Sequence, residues 1–110
     1  RGLRDVYKRQ VVKYMKDNFA YEITLSELAE ILPMSEGQFC RIFKQTMKMS
    51  PMQYLMRYRI LQSCRLLQDT DKKIGEIANL SGFNNISYFN KVFLQTIGCT
   101  PGEYRSTGNY

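Results

Sequence analysis

The chain has 110 residues, enough for one domain or two very small subdomains, and its 44% hydrophobic content excludes a disordered polymer. Sixteen Lys/Arg against ten Asp/Glu give a net charge of +6, and the absence of histidine excludes His-based triads, imidazole general bases and most zinc sites. No apolar run approaches the roughly 20 residues that span a bilayer, and no signal-peptide pattern opens the chain.

Residues 1–9 show no clear apolar periodicity and read as a linker or boundary segment. The missing initiator Met leads us to expect a piece of something longer. From about Val11 the pattern turns helical, with Val11, Val12, Met15 and Phe19 on one face. Thr24 and Glu27 have the spacing of a capping box, opening a short helix through Leu25, Leu28, Ala29 and Leu32 that Pro33 ends. Ser35 is the next N-cap candidate, for a helix through Phe39, Ile42, Phe43 and Met47. Ser50 with Pro51 at the first helical position opens a long helix to about Asp69. Its apolar stripe is Leu55, Tyr58, Leu61, Cys64, Leu66 and Leu67.

After "DTDKK" a short helix runs through Ile74, Ile77, Ala78 and Leu80, closed by Gly82. Asn85 caps a helix carrying Tyr88, Phe89, Val92, Phe93 and Ile97, and Gly98 closes it. Thr100 and Pro101 begin a last turn containing Tyr104, and residues 107–110 read as a tail. The expected fold is all-α, with seven helices and no strand candidate of any strength.

The two halves repeat. Leu25-x-Glu27-Leu28-Ala29 matches Ile74-x-Glu76-Ile77-Ala78 at an offset of 49. Phe39, Arg41, Phe43, Gln45, Thr46, Ser50, Pro51 and Tyr54 match Phe89, Lys91, Phe93, Gln95, Thr96, Thr100, Pro101 and Tyr104 at an offset of 50. A unit of short helix, tight connection and second helix has been duplicated. That unit is the arrangement that places a recognition helix in a DNA major groove. The units span about 24–47 and 73–97, and the linker helix about 51–69. A helix over Pro51–Leu67 is about 25 Å long. With the units' own widths added, it suits two recognition helices roughly 34 Å apart, one turn of B-DNA.

The run Ile74-x-Glu76-Ile77-Ala78, Gly82-Phe83, Tyr88-Phe89-x-Lys91-x-Phe93, then Gly98-x-Thr100-Pro101-x-x-Tyr104-Arg105 resembles the C-terminal DNA-binding domain of the AraC/XylS family of bacterial transcription regulators. The resemblance covers residues 10–106, more loosely in the first half. It implies seven helices, two helix-turn-helix units of homeodomain-like type and a shared linker helix. It further implies sequence-specific binding of double-stranded DNA, most often in an activator, with RNA polymerase as a partner. An effector-binding or dimerisation domain often precedes such a domain.

The resemblance puts base-contacting positions on Gly37, Gln38, Cys40 and Arg41 in the first unit, and on Ile86, Ser87, Asn90 and Lys91 in the second. Arg41 has the fork that fits O6 and N7 of guanine; Asn90 suits adenine and Ile86 a thymine methyl. Lys91 suits guanine or a phosphate. The helix N-termini at Ser35 and Asn85 are candidate phosphate donors, with Lys44, Lys72 and Lys73 as further phosphate partners. Each of these lysines alone is more often a plain surface residue. Tyr54 and Tyr104, and the six methionines, read as packing.

The charge is unevenly spread: residues 1–16 hold six Lys/Arg and one Asp, a net of +5, and the other 94 residues a net of +1. Placement, not total charge, must therefore carry a nucleic-acid reading. Three widely spaced cysteines fit reduced thiols in a cytoplasm rather than a disulfide framework. No cofactor, metal or membrane partner is expected. A helical protein-interaction module is the competing class, opposed by the polar outer faces of both second helices. An enzyme lacks a phosphate-cradling glycine loop or a paired-carboxylate cluster to work with.

Overall fold

The computed structural model describes residues 2–107, so residues 108–110 of the expected tail lie outside the described residues. Seven helices follow one another: α1 Gly2–Asn18, α2 Leu25–Ile31, α3 Glu36–Met47, α4 Pro51–Asp69, α5 Ile74–Leu80, α6 Ile86–Ile97 and α7 Pro101–Thr107. Among the described residues there is no strand. Two compact units divide between Leu55 and Met56, inside α4.

Helix α1 begins at Gly2, where the expectation placed a linker and a start near Val11. Tyr7 accounts for the difference: it packs against the first core one turn ahead of Val11, extending the Val11–Met15 stripe by its i−4 position. The expected last turn is likewise a helix, α7, that takes in Thr107.

Side chains cap most of the later helices. In α2 the Thr24 hydroxyl accepts from Glu27 N–H at 3.1 Å, and Thr24 N–H donates to Glu27 Oε1 at 3.1 Å. The same reciprocal pair recurs as Ser35 with Gln38, Ser50 with Gln53, and Thr100 with Glu103. Each satisfies helix N-terminal groups that otherwise face solvent unpaired. Lys48 ends α3 with φ 66°, and Gly98 ends α6 with φ 97°. Only glycine takes that left-handed conformation without a Cβ penalty. Lys48→Gly should therefore stabilise the first unit by about 1 kcal/mol, and Gly98→Ala destabilise the second by a similar amount. Urea midpoints measure both, and equal and opposite signs are the expected result.

Each unit has its own core. Val11, Met15, Leu28, Phe39, Phe43 and Leu55 are among the buried residues of the first, and Ile60, Leu67, Ile77, Phe83, Phe89 and Phe93 among those of the second. The repeat survives in three dimensions as a ladder of rings. Phe39–Phe43 and Phe43–Tyr54 have centroids 5.7 and 5.9 Å apart; Phe89–Phe93 and Phe93–Tyr104 are both at 5.7 Å. These edge-on and tilted geometries suit aromatic quadrupoles. Tyr54 and Tyr104 thus serve packing. Leu61, expected in the α4 stripe, instead stands 48% exposed.

Glu27 also ties α2 to α1, because Tyr14 Oη donates to its Oε2 at 2.8 Å. That hydroxyl, and then the Thr24 N–H, hold its carboxyl below the usual 4.5. Glu103 is lowered in the same way by Thr100 N–H. A lowered folded-state pKa contributes stability that is present above about 4.5 and lost as pH falls through the folded value. Acid titration of the urea midpoint should show this loss below pH about 4.5, and Glu27→Gln should flatten the part belonging to the first unit.

Candidate nucleic-acid interface

The second helix of each unit is held by its aromatic face and leaves the opposite face to solvent. Phe39 and Phe43 anchor α3; Phe89 and Phe93 anchor α6. Of the residues expected to meet bases, Gly37, Gln38, Arg41, Ile86, Ser87, Asn90 and Lys91 are exposed. Cys40 is half-buried and packs against the first core, so it presents less of its thiol than the expectation supposed. A Cβ built on Gly37 would meet nothing within 4 Å, so the α3 backbone is open to close approach there.

Gln38 has a job that the sequence reading did not assign. Its Oε1 accepts from Ser35 N–H at 3.2 Å, closing the α3 capping box. Ser35 and Asn85 each spend a side-chain oxygen on the third helical N–H, from Gln38 at 3.2 Å and from Tyr88 at 2.9 Å. Phosphate donation at these ends would fall to the earlier backbone N–H groups.

Lys44 is exposed on the last turn of α3. Lys73 is the N-cap of α5 and makes no side-chain cap bond. Lys72 Nζ lies 3.6 Å from Glu76 Oε2, with both side chains substantially exposed, which offsets part of its charge. Arg105 orders this neighbourhood. Its guanidinium donates from Nε to Leu67 O and from Nη2 to Thr70 O, both at 3.1 Å, satisfying carbonyls at the end of α4 just before the two lysines. No local sequence signal announces a contact across 38 residues.

Two large apolar residues of α6 stand in solvent: Tyr88, which the sequence pattern grouped with Phe89 and Phe93, and Leu94, which it left unassigned. Tyr88 is 48% exposed, its ring tilted against Phe83 at 6.1 Å. Leu94 is also 48% exposed. An apolar residue in a helix reads as core, and only its angle about the axis shows otherwise. Among the described residues no cluster of three or more His, Cys, Asp or Glu could hold a metal, and no helix is long and apolar enough to cross a membrane.

Comparison with known proteins fits this geometry. A helix-turn-helix domain family matches residues 28–107. The transcriptional activator RhaR of Mannheimia succiniciproducens is 33% identical over 92 residues, covering 84% of this chain and 33% of RhaR. A transcriptional regulator with an AraC-type DNA-binding domain from Chromobacterium violaceum has a similar structure, with TM-score 0.88, 25% identity, and 98% and 96% of the two chains covered. The DNA-binding domain of the global transcriptional factor AdpA, solved with a target DNA, gives TM-score 0.86 at 28% identity, covering 91% and 90%. The chain spans about a third of the length of the curated relatives it matches. With seven helices, a twice-built capped helix on an aromatic ladder, and these likenesses, the chain belongs to the AraC-type helix-turn-helix family.

Proposed function

We propose that this chain is the sequence-specific, double-stranded DNA-binding part of a bacterial cytoplasmic transcription regulator, with α3 and α6 reading successive major grooves. The supporting observation is the repeated helix whose core side is fixed by rings while its outer side carries Arg41 in one copy and Asn90 and Lys91 in the other. These are side chains able to pair with base edges, and nothing in either core requires them. An interaction module would be expected to show apolar anchors on both helices, and α3 has no exposed large apolar residue. The work is binding, with base contacts from the eight exposed or half-buried positions above and phosphate contacts from Lys44, Lys72, Lys73 and the α3 and α6 N-termini. Activation, an RNA polymerase contact and a preceding effector or dimerisation domain belong to the same proposal as family traits.

Selection of duplexes from random DNA, followed by footprinting, tests it. The expected footprint is about two helical turns. Arg41→Ala should relax base preference in one half-site by about 1–3 kcal/mol, and Asn90→Ala in another about one turn away. Protection of a single groove, or both changes acting on the same base pairs, would overturn the one-helix-per-groove assignment.

A further inference from the structure

Exposed large apolar side chains are unevenly placed on this protein. Among the described residues there are seven, Val6, Tyr21, Leu61, Leu80, Ile86, Tyr88 and Leu94, and three of them stand on the twelve residues of α6. Helix α3, its repeat partner, has none. Where α3 carries Gly37, Arg41 and Lys44, α6 carries Ser87, Lys91 and Leu94 at the same offset of 50. At 100° per residue, Leu94 falls between Asn90 and Ser87 on the exposed arc, about 100° from Phe93 and 140° from Phe89. Ile86, 46% exposed, stands about 80° from Leu94 at the edge of this arc, and a Cβ on Gly75 would stand 3.5 Å from its Cδ1, so it rests over the first turn of α5.

This arc has no acidic residue, and neither does the rest of α6, whose one charged side chain is Lys91. A cationic, partly apolar strip suits an anionic surface that carries isolated apolar groups. In a major groove the apolar group on a base edge is the thymine C5-methyl. Resting on the DNA-binding reading above, we propose that Leu94 is a specificity-determining residue, and that with Ile86 it reads two thymine methyls in the second half-site. The first half-site is read instead through the polar fork of Arg41. Ile86 and Leu94 are eight residues apart, about 12 Å along the helix axis. With α6 lying along the groove, the two thymines should be about three to four base pairs apart.

Deoxyuridine keeps every hydrogen bond of thymine and lacks only the methyl, which makes it the direct probe. The test uses the full chain and a duplex it selects from random DNA, with each thymine in turn replaced by deoxyuridine. Two replacements about three to four base pairs apart should each weaken binding by about 3- to 5-fold, roughly the worth of one buried methyl. In Leu94→Ala one of these penalties should vanish, and in Ile86→Ala the other. Both side chains are exposed and alanine is the best helix former, so circular dichroism should show the variants folded. Deoxyuridine penalties that persist unchanged in both variants, or no penalty at any thymine, would overturn the inference while DNA binding stands. Variants that bind the duplex normally but lose self-association in sedimentation would assign the strip to a protein interface instead. Failure to select any duplex would overturn the functional reading itself.

Discussion

Replacing Phe89 with alanine should cost the second unit about 3–5 kcal/mol, a large share of what a small domain has. The ring is 0% exposed and stands between two others, 5.2 Å from Phe83 and 5.7 Å from Phe93. Truncation removes its transfer free energy and leaves a cavity walled by rings that cannot close on it without leaving their rotamers. Phe83 follows the α5 turn and Phe93 meets Tyr104 of α7, so the loss reaches the ring contacts that join α6 to its neighbours. Phe89→Leu should recover more than half of the loss, because it refills most of the volume. Phe39→Ala is the matching change in the first unit, where the ring is 2% exposed and 5.7 Å from Phe43. Urea unfolding with hydrogen exchange at α5 and α6 amides would locate the damage. A loss of less than about 1 kcal/mol for Phe89→Ala would show that the core repacks, and that the ring ladder is not what fixes the recognition helix.

Much of this architecture was legible because caps are local. Thr24 with Glu27, Ser50 with Pro51, and Asn85 each mark a helix start with residues three positions apart or fewer, and each start is observed within a residue of its mark. The repeat was legible because duplicated packing demands duplicated residues: Phe39, Phe43 and Tyr54 must touch as Phe89, Phe93 and Tyr104 do. What escaped has equally physical causes. The Ser35–Gln38 spacing suits a capping box, and Gln38 also suits a base contact; a sequence states the residue and not which bond it spends. The first turns of α1 depend on a single tertiary contact, from Tyr7, too little to register as periodicity. Leu94 and Leu61 are apolar residues facing solvent, the reverse of the rule by which faces are assigned. Arg105 bonds to carbonyls 35 and 38 residues away, a contact that exists only once α4 and α7 have packed.

Salt should weaken DNA binding steeply, and the slope assigns roles that exposure alone leaves open. If Lys44, Lys72, Lys73 and Lys91 each neutralised one phosphate in full, log affinity would fall against log salt with a limiting slope of about −3.6. Between about 50 and 200 mM salt that is a loss of about 150-fold. Lys44→Gln and Lys73→Gln should each lower the magnitude of the slope by about 0.9 and weaken all sequences alike. Lys72 should contribute less, since Glu76 lies 3.6 Å from its Nζ and part of its charge is already answered. Glu76→Gln should accordingly tighten binding at low salt by releasing Lys72 for a phosphate. Lys91 distinguishes two chemistries: as a phosphate contact, its loss takes about 0.9 from the slope; as a guanine reader, its loss relaxes the preference at one base pair. Affinity indifferent to salt would contradict the DNA reading at its root, because neutralised phosphates must release their counterions, and would leave these helices as a surface for protein.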